Sequence, residues 1–293
     1  MTASSLTLGA NGLEFSATGA GPADGELVLC LHGFPDTPST FRNQITAFAD
    51  AGFTVVAPRL RGYEPSSQPA DGDHGLMALA ADVIGWLDDL GVEQAHLVGH
   101  DWGAVIAYVV AAHHPHRVHT ATALAIPPLA RIPSAVRRLP RQLARSWYMT
   151  FFQIPKLADQ SLQARHWKLM RRLWRTWSPG YTMAPEEWAE LETTFEQPGV
   201  VASALAYYRQ NATPPIMLGL RHPPAMSEAT ITVPTLIVNG SDDACMDRRL
   251  FALSIHDDDF PAGVEHVEVS GAGHFLHLEQ PELVNELILR HLS

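Results

Sequence analysis

One acidic residue occupies a position from which a side chain can attack a substrate. Asp101 is the centre of Gly99-His100-Asp101-Trp102-Gly103, which follows a short apolar run and precedes a stretch rich in Ala and Val. A strand–turn–helix bend with small flanking residues lifts the central side chain above the edge of a sheet. A carboxylate there suits displacement at an sp³ carbon, forming an ester that water later cleaves. The motif therefore predicts Asp101 as a nucleophile, although Asp is also a favoured helix N-cap.

A general base is expected after the last strand signal of the chain. His274 lies in a Gly-Ala-Gly-His-Phe segment directly after the strand signal at 264–269. This placement follows the chain order nucleophile, acid, histidine, in which the imidazole activates water. His277 is the alternative, but it is three residues further on and falls in the next turn.

An acid that orients the imidazole is expected after the run 235–238. Gly240-Ser241-Asp242-Asp243 offers two carboxylates there. Asp243, the third residue after the glycine, is favoured, and Asp242 is the alternative. The other place for such an acid, after the run 120–126, reads Ile-Pro-Pro and contains none.

Two backbone N–H groups are candidates for stabilising an oxyanion. His32-Gly33-Phe34-Pro35 follows the first apolar run, so the N–H of Phe34 can pair with that of Trp102.

The elements that must position these residues alternate between strand and helix signals. Continuous apolar runs, typical of parallel strands covered on both faces, lie at 26–31, 53–57 and 95–98, and further strand signals lie at 120–126, 235–238 and 264–269. Helical spacing is found at 76–90, 104–112 and about 282–291. This alternation predicts a mostly parallel, doubly wound α/β sheet.

The pattern changes between residues 128 and 225. Strand signals nearly vanish there, and five of the seven tryptophans occur, at positions 147, 167, 174, 177 and 188. We interpret 128–225 as a helical cap inserted between two parts of a core domain, 1–127 and 226–293.

Charge and composition limit the class of protein. A formal net charge of −11 argues against a nucleic-acid partner. Eleven of the twenty Lys and Arg residues lie between Arg131 and Arg175, with Asp159 the one acid. The preferred interpretation is a solvated helical face that is ion-paired to the acidic remainder; the alternatives are an anionic surface or an anionic substrate group.

The remaining features predict a cytoplasmic protein. Cys30 and Cys245 are far apart and suggest no disulfide framework. Neither a signal peptide nor a membrane span is expected. The histidines at 113, 114, 116 and 119 form a local cluster, which is interpreted as the end of a helix rather than as a metal site.

Taken together, these motifs resemble those of the epoxide hydrolases of the α/β-hydrolase superfamily, over nearly the full length. In that family two cap tyrosines hold the epoxide oxygen. Tyr148, five residues ahead of Gln153, is similar to the first, and Tyr208, immediately before Arg209, is similar to the second. A buried phenol can donate a hydrogen bond and then a proton to the leaving oxygen.

The resemblance implies an α/β-hydrolase fold and hydrolysis of an epoxide to a diol through an ester on Asp101. It requires neither metal nor cofactor. The expected partners are a small hydrophobic epoxide and water; a homodimer is compatible with the sequence. The expected pocket residues are Phe34, Trp102, Met149, Phe151 and Phe275.

Two other functions are alternatives to this one. A haloalkane dehalogenase shares the Asp nucleophile and the His–acid pair, but Phe34 lacks the side-chain donor expected for a halide. A ligand-binding protein without activity predicts a damaged catalytic set, whereas Asp101, Asp243 and His274 are all present.

Overall fold

The six predicted strands form the parallel part of one eight-stranded sheet. The computed structural model describes residues 4–222, 224–226 and 230–293. The strands are β1 Ser4–Ala10, β2 Leu13–Ala20, β3 Leu27–Leu31, β4 Thr54–Pro58, β5 Ala95–His100, β6 Val118–Leu124, β7 Thr235–Gly240 and β8 Val264–Val269. Strands β3 and β5 to β7 have their residues almost entirely buried, because helices cover both faces of the sheet.

The strand order places a topological switch point at the functional edge of the sheet. The order is β1-β2-β4-β3-β5-β6-β7-β8, and every pairing from β4 to β8 is parallel. The chain leaves β3 toward β4 on one side and later enters β5 on the other. Crevices form outside the carboxyl ends of two such strands, and ligands bind there.

The antiparallel hairpin β1–β2 was not predicted. β2 pairs antiparallel with β4 and extends the sheet beyond its parallel part. Its strands alternate exposed and buried residues and are rich in Ser, Thr and Gly, so they lack the continuous apolar signal of the inner strands.

The helices fall into a core set and an inserted set. The core helices are α1 Arg42–Asp50, α2 Leu76–Asp89, α3 Trp102–His113, α11 Arg248–Ser254, α12 Leu276–Glu279 and α13 Pro281–Leu292. The inserted helices are α4 Ile132–Arg138, α5 Arg141–Arg145, α6 Trp147–Phe152, α7 Leu157–Trp177, α8 Pro185–Glu196, α9 Val200–Asn211 and α10 Pro214–Met217. Non-helical backbone at residues 164–167 interrupts α7.

This arrangement confirms the predicted fold class, a mostly parallel α/β sheet with a helical insertion. The inserted helices all lie between β6 and β7. The exact domain limits at 127/128 and 225/226 stay predictions; residues 1–3, 223 and 227–229 of those segments lie outside the described part of the chain. In the described ranges, no helix is both long and apolar enough to cross a membrane.

Candidate active site

Asp101 lies on a sharp bend between β5 and α3. Its backbone adopts φ 50° and ψ −118°, a conformation that costs a non-glycine residue about 1–3 kcal/mol. The bend also needs its glycines: a Cβ on Gly99 would lie 2.2 Å from the Gly103 carbonyl oxygen, and one on Gly103 would lie 1.8 Å from that of Leu31. The motif therefore pins the Asp101 side chain at the carboxyl edge of the sheet.

The loop after β3 supplies a donor to this carboxylate. The Phe34 backbone N–H donates to Asp101 Oδ1 at 2.8 Å. A Cβ on Gly33 would lie 2.4 Å from the Asp101 Cβ, so a glycine is needed there to let the loop approach. Trp102 is the first residue of α3, and the first N–H groups of a helix have no acceptor within it.

His274 bridges the two carboxylates predicted from the sequence. Its Nδ1 lies 2.8 Å from Asp243 Oδ2, and its Nε2 lies 3.5 Å from Asp101 Oδ2. The other Asp243 oxygen accepts the backbone N–H groups of Cys245 at 2.6 Å and Met246 at 2.9 Å. The turn therefore fixes the Asp243 carboxylate through Oδ1, and Oδ2 holds the imidazole in one orientation.

The electrostatics of this triad favour a charged imidazole. Burial by itself would lower the pKa of His274, but the Asp243 carboxylate and the hydrogen bonds to Asp101 and Asp243 outweigh burial and raise that pKa to about 10. At neutral pH the ring is therefore an imidazolium between two carboxylates.

The cap places two phenols opposite the nucleophile. Tyr148 lies on α6 and Tyr208 on α9; both are buried and their rings are 5.9 Å apart. Burial raises the pKa of both hydroxyls well above the ordinary tyrosine value, and the Asp101 charge adds to the rise. Both groups therefore stay protonated and can act as donors.

A cavity of about 140 Å³ lies between the nucleophile and the two cap phenols. Asp101, Trp102, Tyr148 and Tyr208 all line it. The remaining lining is mostly apolar and comes from α2 to α6, α9 to α11 and their loops, including Leu76, Val105, Ile126, Leu129, Ile132, Val136, Leu143, Ile216, Met217 and Leu250. This is the composition of a small-molecule site with few polar groups at one end.

Comparison with known proteins agrees with this geometry. A family model described as alpha/beta hydrolase fold matches residues 26–281. The chain belongs to the alpha/beta hydrolase fold family. Epoxide hydrolase A of Mycobacterium tuberculosis is 31% identical over 97% of this chain and 95% of its own length. An epoxide hydrolase of Caballeronia sordidicola is 32% identical over 96% of this chain and 91% of its own length.

Solved structures of epoxide hydrolases are also similar to this chain. A mutant epoxide hydrolase from Bacillus megaterium, complexed with its product (R)-3-[1]naphthyloxy-propane-1,2-diol, superposes with a TM-score of 0.87 at 26% identity, covering 98% of this chain and 99% of that one. This alpha/beta hydrolase is therefore similar to epoxide hydrolases over its full length.

The structure brings some predicted pocket residues to the cavity and places others behind it. Trp102 and Met149 line the cavity. Phe34 is fully buried, and its ring contacts that of Tyr208 at 5.3 Å. Phe275 stacks on Trp174, and Phe151 packs against Phe152. These three phenylalanines are absent from the cavity lining, and of the three, Phe34 contacts a ring that forms it.

Some residues of the cavity were missed by sequence reasoning. Cys245 lines it and lies 3.4 Å from the Tyr148 hydroxyl, although in sequence it stood out only as an unpaired cysteine. Gln142 and Asn211 are polar lining residues whose amides bond to neighbouring protein groups. Only its position two residues after the acid marked Cys245 as close to the site.

The basic segment of this alpha/beta hydrolase contributes apolar and neutral polar residues to the cavity, but none of its eleven cations. Arg131 and Arg171 form ion pairs with Asp259 and Glu192. The interpretation as a solvated face paired with acidic residues therefore holds for these two, and none of the cations of this segment is available in the cavity to pair with an anionic substrate group.

Two buried groups in the described residues have metal-ligating side chains close together. One is Asp243, Cys245 and His274, which already bond to each other or to Tyr148. The other is Asp36, His100 and His277, where burial lowers the pKa of His100 to about 3 and raises that of Asp36 to about 8. These three residues do not line the cavity, so no step of the chemistry is assigned to them.

The histidine cluster at 113–119 does not form either group. His113 bonds to the Ala225 carbonyl oxygen through Nε2 at 2.7 Å, and His119 lies beside His96. His113 ends α3, in agreement with the interpretation of this cluster as the end of a helix.

Proposed function

We propose that this alpha/beta hydrolase opens an epoxide to a vicinal diol through an ester on Asp101. One observation supports it most: a nucleophilic carboxylate and two buried phenols line the same cavity, with the His274–Asp243 pair beside the carboxylate. An alkoxide is a poor leaving group, and paired phenol donors are suited to developing negative charge on oxygen.

In the first step, the free oxygen of Asp101 attacks one epoxide carbon. A carbon–oxygen bond to Asp101 forms, the ring bond breaks, and Tyr148 or Tyr208 gives a proton to the ring oxygen. The Phe34 N–H already holds Oδ1, so Oδ2 is the oxygen left to attack.

In the second step, His274 takes a proton from water, which attacks the ester carbonyl. Formation of the ester removes the Asp101 charge, one of the causes that raise the pKa of His274. The imidazolium proton then returns to the phenolate left by ring opening, and the neutral imidazole becomes the base that the step needs. The Phe34 and Trp102 N–H groups are the donors for the oxyanion. Collapse of the tetrahedral intermediate breaks the ester carbon–oxygen bond, and the departing oxygen takes the proton of the added hydroxyl, which releases the diol and restores the Asp101 carboxylate.

The cavity also limits the substrate. The Gln142 and Asn211 amides bond to protein groups, and the rest of the lining beyond the reacting end is largely apolar. A polar substituent would lose its hydration there without a matching partner. We therefore propose a neutral epoxide with apolar substituents.

The test uses two substrates and one trapping variant. We expect the protein to form diol from an aryl glycidyl ether and to release no halide from a 1-haloalkane of similar size. In His274→Gln we expect the ester to persist, measured as a mass increase equal to that of the epoxide on the peptide containing Asp101. Asp101→Ala should form neither adduct nor diol. Halide release without diol formation would favour the dehalogenase, and an adduct on another peptide would refute the nucleophile assignment.

A further inference from the structure

The two cap phenols differ in what their hydroxyl groups contact. The Tyr148 hydroxyl lies 3.4 Å from the Cys245 sulfur. The Tyr208 hydroxyl, although its residue is only 1% exposed, makes no hydrogen bond to the described protein atoms that meets normal geometry. Both residues line the cavity with Asp101, so the difference lies within the proposed reaction site.

The position of Cys245 is set by the same turn that holds the acid of the triad. Its backbone N–H donates to Asp243 Oδ1 at 2.6 Å. Its sulfur lies within 4.8 Å of an Asp243 carboxylate oxygen and a His274 ring nitrogen. The side chain is 1% exposed, and the cavity is the space that it borders. Because the turn cannot shift without moving the acid, the sulfur is a fixed neighbour of the phenol.

The sulfur stays protonated in this environment. Burial, reinforced by the Asp243 charge, raises the pKa of the Cys245 thiol well above its ordinary value. A thiol S–H is a weak donor to a neutral hydroxyl, but hydrogen bonds strengthen when the acceptor carries charge. Negative charge develops on the Tyr148 oxygen when that phenol gives its proton to the opening epoxide.

We infer that Cys245 is a positioning residue for ring opening: its S–H orients the Tyr148 hydroxyl toward the epoxide oxygen and stabilises the phenolate formed when Tyr148 donates its proton. This inference rests on the proposed function. The proton moves from the Tyr148 oxygen to the ring oxygen as the ring bond breaks and the ester to Asp101 forms. The S–H proton stays on sulfur throughout.

The location of Cys245 also explains why a thiol is tolerated beside an electrophile. Displacement at an epoxide carbon requires the nucleophile to approach opposite the breaking carbon–oxygen bond. Tyr148 binds the ring oxygen, so its sulfur neighbour is on the leaving-oxygen side, whereas Asp101 is on the attacking side. The thiol is therefore badly placed to form a thioether with a bound epoxide.

The experiment is a double-mutant cycle on the rate of ester formation, measured by rapid quench and mass analysis of the Asp101 peptide with a phenyl glycidyl ether. Cys245→Ala should slow ester formation about 2- to 10-fold, the range expected for one modest hydrogen bond. In a Tyr148→Phe background it should cause no further loss. In a Tyr208→Phe background it should cause the full loss, because Tyr148 is then the one phenol present.

Two further variants separate positioning from packing. Cys245→Ser replaces the thiol by a smaller but stronger donor and should keep more than half of the parent rate. Cys30→Ala, which removes the other buried thiol from the opposite face of the sheet, should leave the rate unchanged.

Three results would overturn the inference. An equal loss from Cys245→Ala with and without the Tyr148 hydroxyl would mean that the sulfur acts through packing. A serine variant as slow as the alanine variant, or no loss in Cys245→Ala, would exclude a hydrogen-bonding role. If the parent protein forms no adduct on Asp101, the proposed function fails and this inference fails with it, whereas adduct formation that is insensitive to Cys245 refutes only the inference.

Discussion

The two sides of the cavity differ in how far their polar groups are satisfied by the protein. On the core side, Asp101 accepts the Phe34 N–H, and Asp243 accepts two backbone N–H groups and holds His274. On the cap side, within the described part of the chain, the Tyr208 hydroxyl has no hydrogen-bond partner with normal geometry, and the Tyr148 hydroxyl lies against the Cys245 sulfur. Charged groups need fixed partners when they are buried, whereas the phenols are neutral and can reserve their donors for a substrate.

The two sides of the cavity therefore have different roles. The core side holds the charged groups Asp101, Asp243 and His274 in a fixed geometry. The cap side presents the two phenol hydroxyls, which can donate hydrogen bonds where negative charge develops on the substrate. The comparison predicts that the core side tolerates the least change.

The largest effect is expected from the acid on the core side. Asp243→Asn should lower turnover on the order of 10³-fold, because the imidazolium loses its charge partner and the ester is no longer cleaved efficiently. The measurement is diol formation at saturating epoxide. Asp242→Asn is the matched control, since that exposed carboxylate accepts a hydrogen bond from the neighbouring Ser241 hydroxyl and does not contact the imidazole, and it should stay within about 2-fold of the parent. Equal effects of the two changes would show that the acid is wrongly assigned.

The next effect concerns the cap side. Replacing both Tyr148 and Tyr208 by Phe should slow ester formation by about 10²- to 10⁴-fold, whereas each single change should leave a substantial part of the rate, because one donor remains.

Tyr207→Phe provides the control for that cap experiment. Tyr207 is equally buried, but its hydroxyl donates to the Arg61 carbonyl oxygen at 2.8 Å. Its loss should affect stability and leave the rate of ester formation within about 3-fold. A double Phe variant as fast as Tyr207→Phe would remove the cap side from the mechanism.

A third effect is the pH dependence of stability, which we expect to come from His274 on the core side. The folded-state pKa of His274 is raised to about 10, above the ordinary value of 6.5. Its charge interactions therefore contribute stability fully below about pH 6.5, and this contribution is lost as the pH rises through about 10. The thermal midpoint of the parent protein should fall toward that of His274→Gln between pH 7 and pH 10. Parallel midpoint curves over this range would mean that the imidazole is not charged in the folded protein.

The smallest effect is expected from the packing of the cap itself. Arg209 on α9 donates to the Phe152 carbonyl oxygen and to Asp159, joining three cap helices. Arg209→Met should lower the free energy of unfolding by about 1 kcal/mol, with the pair being partly exposed. Arg248→Met removes a more exposed pair on the core surface and should cost no more than about 0.5 kcal/mol. Urea unfolding measures both, and a reversed order would contradict the role assigned to Arg209.

The core side of the site was predictable because each of its residues is marked by a local pattern. Asp101, Asp243 and His274 each follow a strand signal, and parallel strands end at the same edge of a sheet. The two tyrosines had no such mark. On residue type alone, packing of an amphipathic cap helix was the favoured interpretation of each, and only the resemblance to a family selected them for chemistry.

The alternation of strands and helices, the helical insertion and the turn on which Asp101 lies can all be predicted from the amino-acid sequence, because they depend on short-range periodicity and on glycine. Which cap groups meet the nucleophile is a property of the tertiary structure. It left Phe34, Phe151 and Phe275 outside the cavity lining and placed Cys245 against Tyr148, residues 97 positions apart. Contacts of that separation depend on how two folded units pack against each other, and no local pattern records that packing.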